Sequence, residues 1–269
     1  MIIKTSYPFM KPPPSARLIR GHRLAQGLVG AWTMAENGGL QVFDLSGNGN
    51  EGIIVAGAPW IPAKFGSGLS FIDASNQYVN MGTKSTLQPQ IVTVVCWFKI
   101  DDDPSGSFSG LVATGAANNG YMLVHVKTGG KIRFYVRDAT WQYAESNSAV
   151  TKGIWYNAIG TYDGTNVLLY INEVLQTTTD TATSINYGAS ITTLGRYAVS
   201  GSDDLTGCID NASVYARALS ASEVAELYWK PFCMFERKAR TALMSGYAVP
   251  PVGAAGIMTT NAGFWGPTF

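Results

Sequence analysis

From residue 28 to residue 217 apolar and polar side chains alternate in short runs, broken by Gly, Asn and Asp clusters. An alternation of period two places successive side chains on opposite faces of a strand. In 131–137, Ile132, Phe134 and Val136 fall on one face while Lys131, Arg133 and Arg137 fall on the other. Residues 92–100 are apolar on both faces, as in a central strand covered on both sides. Residues 156–162 and 167–171 flank Asp163-Gly164-Thr165-Asn166 and predict a hairpin, with Asp-Gly supplying the positive φ of a tight turn. Further strands are predicted near 28–33, 52–55, 69–72, 77–81, 110–114, 121–126, 140–145, 191–195 and 207–215, the last returning beside the first. Many short strands with turn residues between them predict an all-β fold, two antiparallel sheets packed as a jelly-roll sandwich. One helix breaks the pattern. Ser220 and Glu223 form a capping box, Leu219, Val224 and Leu227 give an apolar stripe, and Pro231 sets the end.

The periodic body spans residues 27–229. Before it, residues 1–26 form a predicted extended arm containing Pro12-Pro13-Pro14, and after it residues 230–269 form an aperiodic tail rich in Gly, Ala, Pro and Thr. Neither flank carries a pattern able to bury a core of its own, so both are expected to be held by partners. The closing Phe264, Trp265 and Phe269 are the candidate assembly contacts of the tail.

Composition narrows the function. Hydrophobic residues make up 46% of the 269 and charged residues 14%, so the surface must be rich in Ser, Thr, Asn, Gly and Tyr. The formal net charge is +1 with no basic stripe, which argues against nucleic acid as a partner. No run approaches the length of a membrane span, and the first residues lack the apolar stretch of a secretory signal, so synthesis in a cytoplasm is expected. Cys96, Cys208 and Cys233 are too widely spaced for a disulfide framework; Cys96 and Cys208 read as buried thiols, with a bridge between them left open.

Two groups of residues carry candidate chemistry. Asp44, Ser46, Asn48 and Asn50 alternate along a glycine-rich loop and could converge on a hard cation, with Asp210 the acid brought from elsewhere. Val55 stands where an EF-hand needs its bidentate acid, which excludes that motif. The competing reading is a tight Asx turn in which Asp44 bonds backbone amides, with Asp210 accepting hydrogen bonds from the same loop. Trp141 and Tyr143 share a face of one predicted strand and Tyr197 sits in a loop; flat rings of this kind stack on sugars, and equally serve cores and interfaces. No strand bears the paired carboxylates of a glycosidase, and no nucleophile elbow, zincin or P-loop motif occurs. His22 and His125 are isolated, and His125 reads as a strand residue with a satisfied ring. The chain is therefore expected not to be an enzyme.

Several segments, in order, resemble the laminin-G-like, concanavalin A-like jelly-roll superfamily as found in bacterial and phage proteins. They are Gly27–Trp32, Asp44-Leu45-Ser46-Gly47-Asn48-Gly49-Asn50, residues 64–71, Tyr162-Asp163-Gly164, Leu169-Tyr170-Ile171-Asn172, and Gly207-Cys208-Ile209-Asp210 followed by Ala216-Arg217-Ala218-Leu219-Ser220. The resemblance implies a binding or adhesive role and a calcium held between Asp44 and Asp210, although Asn211 stands where a second acid often follows. The flanks 21–29 and 226–235 look like those of tailed-phage virion proteins. The resemblance thus implies a non-enzymatic virion protein, a capsid decoration or tail-associated subunit, whose partners are copies of itself, other virion subunits and glycans. The alternative is a carbohydrate-binding module or extracellular adhesive protein.

Overall fold

The computed structural model describes residues 10–115, 118–197 and 203–236, all within one compact unit, Met1–Lys238. Phe264, Trp265 and Phe269 lie outside the described residues. The strands are β1 (Leu28–Trp32), β2 (Gln41–Val42), β3 (Gly52–Val55), β4 (Trp60–Ala63), β5 (Gly66–Phe71), β6 (Tyr78–Gly82), β7 (Val92–Asp102), β8 (Phe108–Gly115) and β9 (Tyr121–Val126). They continue with β10 (Lys131–Arg137), β11 (Trp141–Glu145), β12 (Trp155–Tyr162), β13 (Asn166–Ile171), β14 (Val174–Leu175), β15 (Asp180–Thr181), β16 (Ile191–Leu194) and β17 (Thr206–Tyr215). The helix α1 (Ala221–Trp229) follows, and among the described residues no helix is long and apolar enough to cross a membrane.

Two antiparallel sheets form the sandwich. The first has nine strands along the path β14-β13-β12-β7-β17-β5-β4, with β1 beside β17 and β15 beside β13. The second has eight, in the order β11-β10-β9-β8-β16-β6-β3-β2. The expected return of the last strand to the first is seen in the pairing of Trp32 with Ala212 and Leu28 with Tyr215. β7, apolar on both faces, lies between β12 and β17. Its Cys96 and Phe98 enter the core between the sheets, together with Phe71, Phe134, Leu123, Ile132 and Trp32. All three cysteines are buried free thiols.

The outer face of the nine-stranded sheet is covered by the chain's own flanks. Leu24, Val224, Leu227, Phe232, Met234 and Phe235 pack with Val95, Ile159 and Tyr215 in a second apolar cluster. Helix α1 is joined to the sheet by Tyr228, which stacks on Trp97 at 5.4 Å. Its capping box is formed as the sequence predicts, and Arg217 grips Glu223 through two bonds of 2.9 and 2.7 Å. Leu18 bridges to Phe235, so the described parts of the arm (10–26) and of the tail (230–236) meet on this face. These two stretches therefore pack on their own domain.

Candidate functional site

With one sheet covered, the outer face of β8–β11 is left open by the described residues. Cross-strand register aligns its side chains in rows: Ala113, Met122, Tyr135 and Tyr143 in one, Val124, Arg133 and Glu145 in the next, Arg137 and Trp141 in a third. Ala113, Met122, Val124, Val126 and Tyr135 form a buried apolar floor, with Phe108, Trp141, Tyr143 and Tyr197 partly exposed on it. The three aromatic residues singled out from sequence therefore come together. Tyr135 sits between them, its ring 5.9 Å from Trp141, 5.1 Å from Tyr143 and 6.1 Å from Phe108. Rings packed edge-on and tilted hold one another rigid, which pre-orders a stacking surface.

Tyr197 reaches this face because Gly110 has no side chain. A Cβ there would lie 2.1 Å from the carbonyl carbon of Arg196, so only glycine lets the chain cross the strand. The crossing is fixed by the N–H groups of Gly110 and Tyr197, which both donate to the Asp203 carbonyl, at 3.2 and 3.1 Å. Burial raises the Tyr197 phenol above its usual range.

Charged groups frame the rings. Arg133 Nε donates to Glu145 at 2.6 Å, Lys131 Nζ to the other oxygen at 2.8 Å, and Arg133 Nη1 to the Tyr135 hydroxyl at 2.8 Å. The Arg133 guanidinium also lies 4.5 Å from the centre of the Tyr143 ring. Burial pushes the Glu145 carboxyl up, but the bonds from Lys131 and Arg133 prevail and hold it below the usual carboxylate range. Arg137 lies 5.7 Å from the Trp141 ring centre. Tyr135 and Phe108 were not found from sequence. An aromatic alternating with Arg133 and Arg137, on a strand turning tightly into Trp141 and Tyr143, is the signal that points to Tyr135.

The candidate cation site takes a different form. Asp44 Oδ1 accepts the N–H groups of Ala31 (2.9 Å) and Ser46 (2.8 Å), while Oδ2 accepts the Asn50 N–H (3.0 Å) and the Ser46 hydroxyl (2.7 Å). Asn48 and Asn50 turn their amide nitrogens, not their oxygens, to the Leu28 and Val29 carbonyls, and Asn50 Oδ1 accepts the Thr86 hydroxyl. Gly47 and Gly49, at φ +84° and +74°, close the turn. Every oxygen of Asp44 thus faces a hydrogen-bond donor. Asp210 is elsewhere: Oδ1 lies 2.9 Å from Lys11 Nζ and 2.8 Å from the Asn211 amide nitrogen, and Oδ2 accepts the Phe65 N–H at 2.9 Å. The five residues do not converge, and calcium's six to eight oxygen ligands are not assembled by them. The Asx-turn reading describes Asp44, and the expectation that Asp210 bonds to the same loop is corrected, because the Lys11 ammonium occupies it instead.

Other polar clusters are held by protein contacts. His22, Glu226 and Cys233 each bring one ligand atom within 4.8 Å of the others. Glu226 is bonded by Arg23 at 2.6 Å, His22 Nδ1 accepts the Leu24 N–H at 3.1 Å, and burial pushes the Cys233 thiol up to about 12. His125 differs from expectation: it is buried with Nε2 4.0 Å from Asp103 and Nδ1 without a partner, and burial lowers its pKa. A cavity of about 760 Å3 opens between residues 14–18 and Arg20, residues 44–47 and Glu236, but none of the described residues lining it is aromatic.

Residues 73–225 match the model of the concanavalin A-like lectin/glucanases superfamily. The chain belongs to this superfamily. No curated protein sequence matches it. Among solved structures, it is similar to domain 4 of AbnA, an extracellular GH43 arabinanase from Geobacillus stearothermophilus solved with arabinotriose, at TM-score 0.63 and 18% identity over 75% of this chain and 98% of that one. It is also similar to the binding domain of Paraclostridial Mosquitocidal Protein 1, at TM-score 0.62 and 16% identity over 77% of this chain and 52% of that one. The binding domain of botulinum neurotoxin DC, solved with SialylT, gives TM-score 0.60 at 16% identity, over 76% of this chain and 52% of that one. The chain thus spans about half the length of the toxin binding domains it matches. At these identities the likeness is one of fold.

Proposed function

We propose that this member of the superfamily is a carbohydrate-binding module and that its sugar site is the outer face of β8–β11. The observation that carries this reading is the convergence of Trp141, Tyr143 and Tyr197, from separate elements, on a broad sheet face that the described residues leave uncovered. Partly exposed rings on a rigid floor offer flat apolar area to a pyranose face, and the charged rim offers hydrogen bonds to hydroxyls. Similar folds solved with arabinotriose and with SialylT support the ligand class. Binding, not turnover, is the activity: Glu145, ionised between two cations, is a poor proton donor near neutrality. Binding here needs no calcium, so EDTA should leave it unchanged. The test is titration of glycans screened on an array into the wild type and Trp141→Ala. Saturable binding that weakens at least about tenfold in the variant, with the circular dichroism spectrum unaltered, supports the reading. A flat array, or binding indifferent to Trp141→Ala, overturns it.

A second reading concerns where the module works. The flanking segments suggest a virion subunit, and the Leu18–Phe235 bridge places both described flanks on the covered sheet, opposite the aromatic face. We propose that the domain is tethered through that side to an assembly of its own copies and other virion subunits, and turns the aromatic face outward. Light scattering of the full chain and of a chain lacking residues 237–269 tests this: loss of an oligomer on truncation, with glycan binding intact, is the expected result. Monomers in both cases would remove it.

A further inference from the structure

We infer that the glycan taken by this face is acidic and that Arg137 receives its anionic group. The inference rests on the sugar-binding reading of the same face and adds the ligand's charge. Three cations, Lys131, Arg133 and Arg137, project from β10 onto the face, and two of them are committed. Lys131 and Arg133 share the Glu145 carboxylate, at 2.8 and 2.6 Å. Among the described residues Arg137 has no carboxylate partner. Its Nε donates a long bond of 3.3 Å to the Asn118 carbonyl, and among the described residues its two terminal nitrogens donate to nothing. The adjacent acid in the chain, Asp138, is turned away: Oδ1 accepts the Thr140 N–H at 3.0 Å and Oδ2 the Thr183 N–H at 3.3 Å. A guanidinium presents its terminal nitrogens as a planar fork that matches the two oxygens of a carboxylate or sulfate.

Position matters as much as vacancy. Arg137 pairs across the strands with Trp141 and its guanidinium lies 5.7 Å from that ring's centre. Its charge also pulls the Tyr197 phenol's pKa down, against the larger upward effects of burial and Asp203. A sugar stacked on Trp141 would therefore set a carboxylate or sulfate substituent against the fork. A neutral sugar would leave the charge without a counter-ion in a half-buried setting, so the same geometry that favours an acidic sugar gives no comparable gain to a neutral one. The chemistry recognised is an anionic group on a ring, whether a uronate, a sialate or a sulfated sugar.

The experiment compares three probes of equal length by calorimetry: neutral arabinan oligosaccharides, oligogalacturonates, and sulfated heparin-derived oligosaccharides. Each is titrated into the wild type, Arg137→Gln and Trp141→Ala at low and at raised salt. The expected result is that an acidic series binds about tenfold or more tightly than the neutral one. That preference should shrink with salt and vanish in Arg137→Gln. The carboxylated and sulfated arms separate the two sources of charge. Neutral and acidic probes binding equally, with Arg137→Gln silent and Trp141→Ala damaging, overturns the acidic inference and leaves the sugar-binding reading standing. No binding by any probe, or binding indifferent to Trp141→Ala, overturns both.

Discussion

Replacing Lys11 by methionine keeps most of the apolar stem and removes one buried charge. In the wild type the ammonium lies 2.9 Å from Asp210 Oδ1 and 2.7 Å from the Asp210 carbonyl, and bonds the Ser67 carbonyl as well. The Lys11 side chain is 6% exposed and that of Asp210 is fully buried. Burial lowers the Lys11 pKa from its ordinary value, against the opposing pull of Asp210 and Glu36. Removing one member of such a pair leaves the other as an uncompensated buried charge, at a cost of about 3–5 kcal/mol. A domain of ordinary stability, about 5–15 kcal/mol, would lose a large part of it. Lys11→Met and Asp210→Asn should each cost in this range, while the double variant should cost clearly less than their sum, with a coupling of about 2 kcal/mol or more. Urea unfolding measures all four proteins, and limited proteolysis within residues 10–26 reports whether the arm has come loose. A loss below about 1 kcal/mol for Lys11→Met, with additive effects in the double variant, would refute the buried pair and the anchoring of the arm with it.

Two further outcomes follow from the same geometry. Gly110→Val should push the chain at Arg196 and Tyr197 outward by about 1 Å or more, because its Cβ would start 2.1 Å from backbone; denaturation should show a loss of about 1–3 kcal/mol together with weakened glycan binding. Glu223, held at about 2 by its bonds from Arg217, has a folded pKa below its unfolded value, so its contribution is complete above pH about 4.5 and is lost as pH falls towards 2. Glu223→Gln should flatten the acid limb of the stability profile by about 1–2 kcal/mol, a figure reduced because Arg217 is partly exposed.

How much could be read in advance depended on the range of the interaction. Strands such as Lys131–Arg137 and Trp155–Tyr162 follow from alternation over several residues, and the capped helix follows from Ser220 and Glu223 at fixed spacing. β2, β14 and β15 have two residues each, too few to show a period. β9 reads Tyr-Met-Leu-Val-His-Val, apolar on both faces, so nothing in it says which side is open. Trp141 and Tyr143 share a face by spacing alone, whereas Tyr197 joins them through Gly110, a contact between distant segments. The Asp44 loop was legible as a turn, but its choice between cation and hydrogen bonds depended on Leu28, Val29 and Ala31. Lys11 reaching Asp210 joins residues nearly two hundred positions apart, and nothing local in the proline-rich arm announces it.

The central claim is that the β8–β11 face is where sugar sits. Its most direct test is the indole N–H resonance of Trp141, followed while an oligosaccharide that binds is titrated in. The account predicts a progressive, saturable shift of the Trp141 signal, with that of Trp32, sealed in the core, unmoved. Shifts confined to indoles of the nine-stranded sheet, such as Trp97, with Trp141 silent at saturation, would contradict it.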